Sequence, residues 1–329
     1  MKSKWVDFQS CLAERIKDFL EYKRALGRRF WTEENALRLL DRYLVEKGIT
    51  SIPEITPELL EMFLASRPRK QPRSYNHLVS VVSRLFDWLV GQGVLPSSPL
   101  HVKRRRETTQ RIPFIFDKIQ ARRLLEVANR LPDNSRGLMR GITYKTIFAL
   151  LYGLGLRVGE VSHLCWKDVD FIRHLLVIRQ TKFAKSRLVP FGPRLEKQLQ
   201  DYRICREHCW GPVCLEDPLF SFTKGKPVHP TTITQTFHNL FPLLELNIPS
   251  GVAPPCLHNL RHSFAVRTLL RWYRSGINPT KRLLHLSTFL GHVDPASTAV
   301  YLTITADLFR EANRRFEQYT HPSVEEERR

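Results

Sequence analysis

The spacing of apolar residues constrains the fold most, because it follows a helical period along most of the chain. Four apolar stripes occur in the first hundred residues, within 8–20, 37–44, 59–64 and 78–89. Thr56-Pro57 adds a helix cap followed by a proline in the first turn. Since four amphipathic helices of this length can form a small bundle, the sequence predicts a helical N-terminal domain over residues 1–100.

A proline-flanked basic segment follows this domain and is typical of a linker, which we predict over residues 101–112. It contains four consecutive cations that could follow a DNA backbone, namely Lys103, Arg104, Arg105 and Arg106. Helical spacing resumes within 119–131 and 142–151, but the period then changes. Two short strands are predicted at 175–178 and 187–191, joined by a turn near 183–184. We therefore expect a second domain over 113–329 that is mostly helical and contains a small antiparallel β-sheet.

The charge of the chain restricts the classes of partner. With 52 Lys and Arg against 32 Asp and Glu, the formal net charge is +20 and the pI is about 10.0. Such a surplus attracts polyanions, of which duplex DNA and RNA are the commonest. A ribosome-associated protein or a protein that binds anionic membranes is the alternative. Neither a secretory signal nor a run of eighteen apolar residues is found, so we expect no membrane partner.

Three of the six cysteines lie close together with one histidine. These residues are Cys205, His208, Cys209 and Cys214. The spacings fit no common zinc knuckle, and an intracellular compartment would keep thiols reduced. We therefore expect ordinary thiols and no metal site.

Two segments place charged residues at the start of a helix and at the tip of a hairpin. In Gly155-Leu-Arg157-Val-Gly-Glu160 a glycine ends one helix, and Glu160 lies one turn after Arg157, where it could fix the guanidinium for phosphate binding. Taken alone, such a pair is also typical of a surface ion pair. Lys182 and Lys185 lie at the predicted hairpin and could equally belong to a solvated turn.

Two later segments contain histidines, an arginine and a tyrosine. In the segment that begins His258-Asn-Leu-Arg261, His258 and Arg261 share one helix face and could form a wall of an active site, or His258 could cap the core. Leu-Gly-His292 precedes a short helix that carries Tyr301 near its far end. Taken alone, Tyr301 is an ordinary helical tyrosine.

In this order the four segments resemble the tyrosine recombinase, or phage integrase, family. The resemblance spans residues 142–301, and its specific parts are His-x-x-Arg-His-Ser-Phe-Ala and Leu-Gly-His. It implies an N-terminal core-binding domain of four helices (SAM-like) and a mostly helical catalytic domain. It also implies six catalytic residues: Arg157, Lys182, His258, Arg261, His292 and Tyr301.

The resemblance implies that Tyr301 attacks a DNA phosphodiester and forms a 3′-phosphotyrosine. Arg157 and Arg261 would clamp the phosphate with His292, Lys182 would be the general acid, and His258 would be the base. No metal or nucleotide cofactor is then required.

The catalytic lysine must be chosen between Lys182 and Lys185. Aligning Lys185 with the family's basic residue before its Arg-Leu-Val-Pro strand leaves Lys182 as the catalytic lysine, so we predict Lys185 and Arg187 as DNA contacts.

The segment between Arg261 and His292 is about eight residues longer than is usual in the family, with the extra length in 271–286. We expect it to alter the length of a helix or a loop.

The resemblance further implies duplex DNA as substrate and a tetramer of this chain, or an assembly with sister recombinases, in the bacterial cytoplasm at the nucleoid. The predicted helix 306–319 would dock on a neighbouring protomer or pack in its own domain.

The alternative functions are a type IB topoisomerase-like nicking and closing enzyme, a silent DNA-binding subunit, and a general RNA-binding protein. We expect recombination for a mobile element.

Overall fold

The computed structural model describes residues 7–28, 30–106, 112–135, 137–179, 186–223, 225–292, 294–303, 310, 311 and 313. The chain divides into two compact units, Met1–Gln110 and Arg111–Arg329. This division falls within the segment 101–112 that the sequence predicts as a linker.

The described part of the N-terminal unit forms four α-helices, as predicted. They are α1 (Ala13–Ala25), α2 (Trp31–Glu46), α3 (Pro57–Ala65) and α4 (Pro72–Gly91). Helix α3 begins where the sequence indicates, because the Thr56 hydroxyl accepts a hydrogen bond of 3.3 Å from the backbone N–H of Leu59. The predicted apolar stripes face one shared core, in which Leu37, Phe63 and Phe86 are fully buried.

The basic segment near the end of this unit is held against α4. The backbone N–H of Arg105 donates to the Asn76 side chain, and the Asn76 amide donates to the Arg105 carbonyl, both at 2.8 Å. The Arg105 guanidinium lies 3.8 Å from the centre of the Tyr75 ring and donates to the carbonyl of Arg69. Thus Arg105 is engaged with the N-terminal unit, while its neighbours Arg104 and Arg106 are exposed.

The second unit is mostly helical with one small antiparallel sheet, as predicted. Its described helices are α5 (Lys118–Asn129), α6 (Arg140–Leu154), α7 (Val158–Ser162), α8 (Pro193–Trp210), α9 (Pro230–Leu240), α10 (Asn259–Arg274), α11 (Pro279–Leu290) and α12 (Ala296–Ala299). Its sheet has the order β1 (Val169–Asp170), β2 (Leu175–Ile178) and β3 (Arg187–Pro190). The sequence predicts β2 and β3 but not the two-residue β1, which is too short to show a period.

Helix α6 forms the centre of the second unit. Its apolar residues point in nearly all directions, and most of the helix is buried among α5, α8 and α10. A smaller apolar cluster lies between α10 and α11 and includes Leu269, Leu290 and Tyr301. Tyr301 therefore packs with apolar residues of α10 and α11.

The long segment before His292 lies mostly in two helices and does not form a long loop. Helix α10 continues through Arg274, a short turn includes Gly276, and α11 begins at Pro279. In the part of the chain that the structure describes, no helix combines the length and the apolarity needed to cross a membrane.

Candidate active site

A glycine turn between α6 and α7 presents Arg157. Gly155 has φ +63°, and a Cβ at this position would lie 2.6 Å from Cδ1 of Phe264, so both the conformation and the close packing require glycine. After the turn, Arg157 has an extended backbone and occupies the N-cap position of α7. Its side chain is 32% exposed, which leaves part of the guanidinium open to a ligand.

Glu160 is the centre of a buried ion network. Its carboxylate accepts hydrogen bonds from the backbone N–H of Arg157 at 2.9 Å and from Nη1 of Arg157 at 2.8 Å. It also accepts two from the Arg187 guanidinium, at 2.9 and 2.8 Å. Burial alone would raise the pKa of the Glu160 carboxyl, but the hydrogen bonds and charges of Arg187 and Arg157 lower this pKa to about 2. Glu160 is therefore ionised and fixes both guanidinium groups.

Arg187 occupies a different place from the DNA-facing one that we predict from the hairpin. Its side chain is only 9% exposed, two of its nitrogens bind Glu160, and its Nε donates to the carbonyl of Phe289 at 2.8 Å. The predicted DNA contact is thus corrected to a buried brace. The physical reason is that Arg187 begins β3 beside α11, where a carboxylate and a helix-end carbonyl are both within reach.

Arg261 is the most deeply buried cation of the site. It is 1% exposed, and its Nη1 and Nη2 donate to the carbonyls of Gly155 at 2.6 Å and Leu290 at 2.7 Å. Burial and the charge of Arg157 lower the pKa of Arg261 to about 10, so it stays charged at neutral pH. Within the described residues its Nε has no hydrogen-bond partner.

Tyr301 lies in the short 3-10 helix Val300–Thr303 and is 3% exposed. Its hydroxyl is 2.9 Å from Nδ1 of His262, and the two ring centres are 5.4 Å apart. Burial raises the pKa of the Tyr301 phenol, although the positive charges of Arg261 and Arg157 oppose that rise. The phenol is therefore protonated at rest, and the charges of both arginines act on it.

The histidines are arranged around Tyr301. The ring of His292 stacks 6.3 Å from the Tyr301 ring, and its Nδ1 is 2.7 Å from Oγ1 of the buried Thr298. Burial and the charges of Arg261 and Arg157 lower the pKa of His292 to about 4, so the ring is neutral at pH 7. His258 precedes α10, is exposed, and meets His262 edge to face with 4.6 Å between ring centres.

The structure thus brings together five of the six predicted catalytic residues: Arg157, His258, Arg261, His292 and Tyr301. Lys182 and Lys185 lie outside the described residues, as does most of the predicted helix 306–319. Six free cysteines are described, among them Cys205, Cys209 and Cys214, and the described residues contain no group of His, Cys, Asp or Glu that could hold a metal.

Sequence reasoning missed the contact between His262 and Tyr301. The signal was present, because His262 lies four residues after His258 on the same helix face and directly follows Arg261. It also assigned Arg187 to the wrong surface, because nothing in the local sequence shows that Glu160 lies beside the hairpin.

The arrangement is suited to binding a phosphate next to a nucleophile. Arg157 and Arg261 supply positive charge, His292 can donate a hydrogen bond through Nε2, and the Tyr301 oxygen faces the same space. Because the cations are fixed by protein contacts before any ligand binds, they need little reorganisation when negative charge develops.

Comparison with known proteins gives the same assignment. The sequence model of the phage integrase family matches residues 115–307. The y4rB integrase/recombinase of Sinorhizobium fredii is 34% identical over 94% of this chain and 98% of its own length. Tyrosine recombinase XerC of Pediococcus pentosaceus is 26% identical over 74% of this chain and 75% of its own length.

A solved structure shares the fold at lower identity. The Tn1549 transposon integrase in complex with transposon right end DNA aligns with a TM-score of 0.65 and 16% identity, covering 93% of this chain and 98% of that one. With the family match and the y4rB relative, the chain belongs to the phage integrase family, the tyrosine recombinases, which are DNA strand-transfer enzymes that need neither a metal nor ATP.

Proposed function

We propose that this chain is a site-specific recombinase that cleaves and rejoins duplex DNA through a covalent bond between Tyr301 and a 3′-phosphate. The observation that carries the proposal is the setting of buried Tyr301: its ring stacks on His292, and its phenol feels the positive charges of Arg261 and Arg157. Both arginines are held by main-chain carbonyls, so their positive charges are fixed beside this tyrosine.

In the proposed reaction Tyr301 Oη loses its proton and forms a bond to the scissile phosphorus, and the bond from phosphorus to the 5′ oxygen breaks. Negative charge accumulates on the non-bridging oxygens, where Arg157, Arg261 and His292 stabilise it. The leaving 5′ oxygen takes a proton, which we assign to Lys182 from the family resemblance. A 5′-hydroxyl from a second duplex reverses these steps and rejoins the strand.

We further propose duplex DNA bound by both units, a tetramer of this chain or an assembly with sister recombinases, and a role in moving a mobile element. The exposed Arg104 and Arg106 support a DNA-following segment, and the net charge of +20 favours a polyanion. The similarity in fold to an integrase described as bound to transposon end DNA favours a mobile element.

The test is formation of a covalent adduct. The protein is incubated with nicked suicide duplexes from the ends of its own element, and SDS-resistant protein–DNA adducts are separated by electrophoresis. Wild type should form the adduct, and Tyr301→Phe should not, while binding of the same duplex is retained. An adduct of normal yield from Tyr301→Phe would show that another residue is the nucleophile.

The same assay separates the other functions. Relaxation of supercoiled plasmid without recombinants would indicate a topoisomerase-like enzyme. Binding without any adduct would indicate a silent subunit or a general nucleic-acid-binding protein. Joining of two cleaved duplexes into recombinants supports the proposed function.

A further inference from the structure

His262 makes a contact that the proposed roles do not use. It follows Arg261 on α10, is half-buried, and places Nδ1 2.9 Å from the hydroxyl oxygen of Tyr301. This is hydrogen-bond distance between the group that must lose a proton and a ring nitrogen that can accept one.

The other groups near Tyr301 are less suited to accept this proton. Arg261 is charged and carries no acceptor. Nδ1 of His292 is engaged by Thr298 Oγ1 at 2.7 Å. The ring of His258 meets the ring of His262 edge to face at 4.6 Å, whereas the ring of His262 lies 5.4 Å from the Tyr301 ring and has a nitrogen at hydrogen-bond distance from its hydroxyl.

His262 is also in the right protonation state. Burial, together with the charges of the nearby His258, Arg261 and His292, lowers the pKa of His262 to about 4. At neutral pH the ring is therefore neutral, and with its proton on Nε2 it offers Nδ1 as an acceptor to the Tyr301 hydroxyl. Binding of a phosphate would bring negative charge to the cations around the ring, which favours the protonated imidazole during the reaction.

We propose that His262 is a catalytic residue that accepts the Tyr301 proton as the phenol oxygen attacks phosphorus. The Oη–H bond breaks, the proton passes to Nδ1 of His262, and the electron pair on Oη forms the bond to phosphorus. The bond to the 5′ oxygen breaks, and that oxygen takes its proton from a separate acid. This inference rests on the proposed function of Tyr301, and it replaces His258, which the family resemblance implies as the base.

The experiment compares His262→Asn with His262→Ala. The Asn side-chain oxygen can occupy nearly the place of Nδ1 and accept a hydrogen bond, but it cannot take a proton. Single-turnover adduct formation is measured on a suicide duplex with the natural 5′ oxygen and on one with a bridging 5′ sulfur, which leaves without an acid. Exposed His285 on α11 provides the matched control His285→Ala.

We expect both His262 variants to form the adduct on the order of 100-fold more slowly on both substrates, since general-base catalysis contributes about this much. Their rates should rise with pH as hydroxide replaces the base, and imidazole should partly restore His262→Ala. The control His285→Ala should react like wild type, and all variants should bind the duplex with unchanged affinity.

Three results would overturn the inference. A normal rate for His262→Asn beside a slow His262→Ala would reduce His262 to a positioning residue. Recovery of His262→Asn by the bridging sulfur would make it the acid for the leaving group. Normal rates for both would remove any role. If His262→Asn does not fold, imidazole rescue and the pH profile of His262→Ala still decide; if His262→Ala does not fold, the pH profile of His262→Asn decides. Failure of the proposed function is distinguishable, because it is seen either as an adduct from Tyr301→Phe or as the lack of an adduct from wild type.

Discussion

Replacing Glu160 by glutamine tests whether the buried ion network organises the site. The carboxylate is 7% exposed and accepts four hydrogen bonds from Arg157 and Arg187. Glu160→Gln keeps the shape but removes the charge, which leaves two guanidinium groups without their counterion. Breaking a buried pair in this way typically costs about 3–5 kcal/mol of unfolding free energy.

The pKa of Glu160 sets the part of this free energy that depends on pH. Its fall from an ordinary value of 4.5 to about 2 in the folded protein corresponds to about 3 kcal/mol of stability. Since the folded pKa is depressed, this contribution is complete above about pH 4.5 and is lost as the pH falls toward 2. By pH 3 roughly 2 kcal/mol should already be lost.

The assay is urea unfolding of wild type and Glu160→Gln between pH 3 and pH 7. The difference in unfolding free energy between the two proteins should be largest at pH 7 and should shrink by roughly 2 kcal/mol at pH 3. The matched control is Glu216→Gln, because Glu216 is 76% exposed in its ion pair with Lys167 and should change stability by less than about 1 kcal/mol. A difference that is constant with pH would refute the reasoning.

Three further substitutions test separate contacts. Arg187→Met removes two of the four hydrogen bonds to the buried Glu160 and should lower the unfolding free energy by about 3 kcal/mol, with unchanged affinity for DNA. Loss of affinity with normal stability would restore Arg187 as a DNA contact. Arg261→Lys should slow adduct formation on the order of 100-fold, because one ammonium group cannot hold two carbonyls and a phosphate together; near-normal single-turnover rates would contradict the clamp. Thr298→Val removes the partner of His292 Nδ1 and should slow cleavage on the order of 10-fold, and a wild-type rate would show that His292 orients without it.

The helices were predictable because each depends on nearby residues. Apolar spacing and the Thr56-Pro57 cap are local signals, and α3 begins where they indicate. The segment Leu-Gly-His292 could also be recognised in the sequence, and in the structure its glycine ends α11 with φ +69°. The contacts inside the site were less predictable, because Arg187 meets Glu160 across 27 residues of sequence and His262 meets Tyr301 across 39. Such pairs depend on how elements pack, which local patterns do not encode.

The end of α11 explains how the site holds positive charge without neutralising it. The last carbonyls of a helix lack partners and carry partial negative charge. Here the carbonyls of residues 289–291 accept hydrogen bonds from Arg157, Arg187 and Arg261. Gly291 permits this approach, because a Cβ there would lie 2.9 Å from Nη1 of Arg187. Since Glu160 is the one carboxylate bound to these arginines among the described residues, two positive charges remain in excess, which suits a phosphorane that gains negative charge in the transition state.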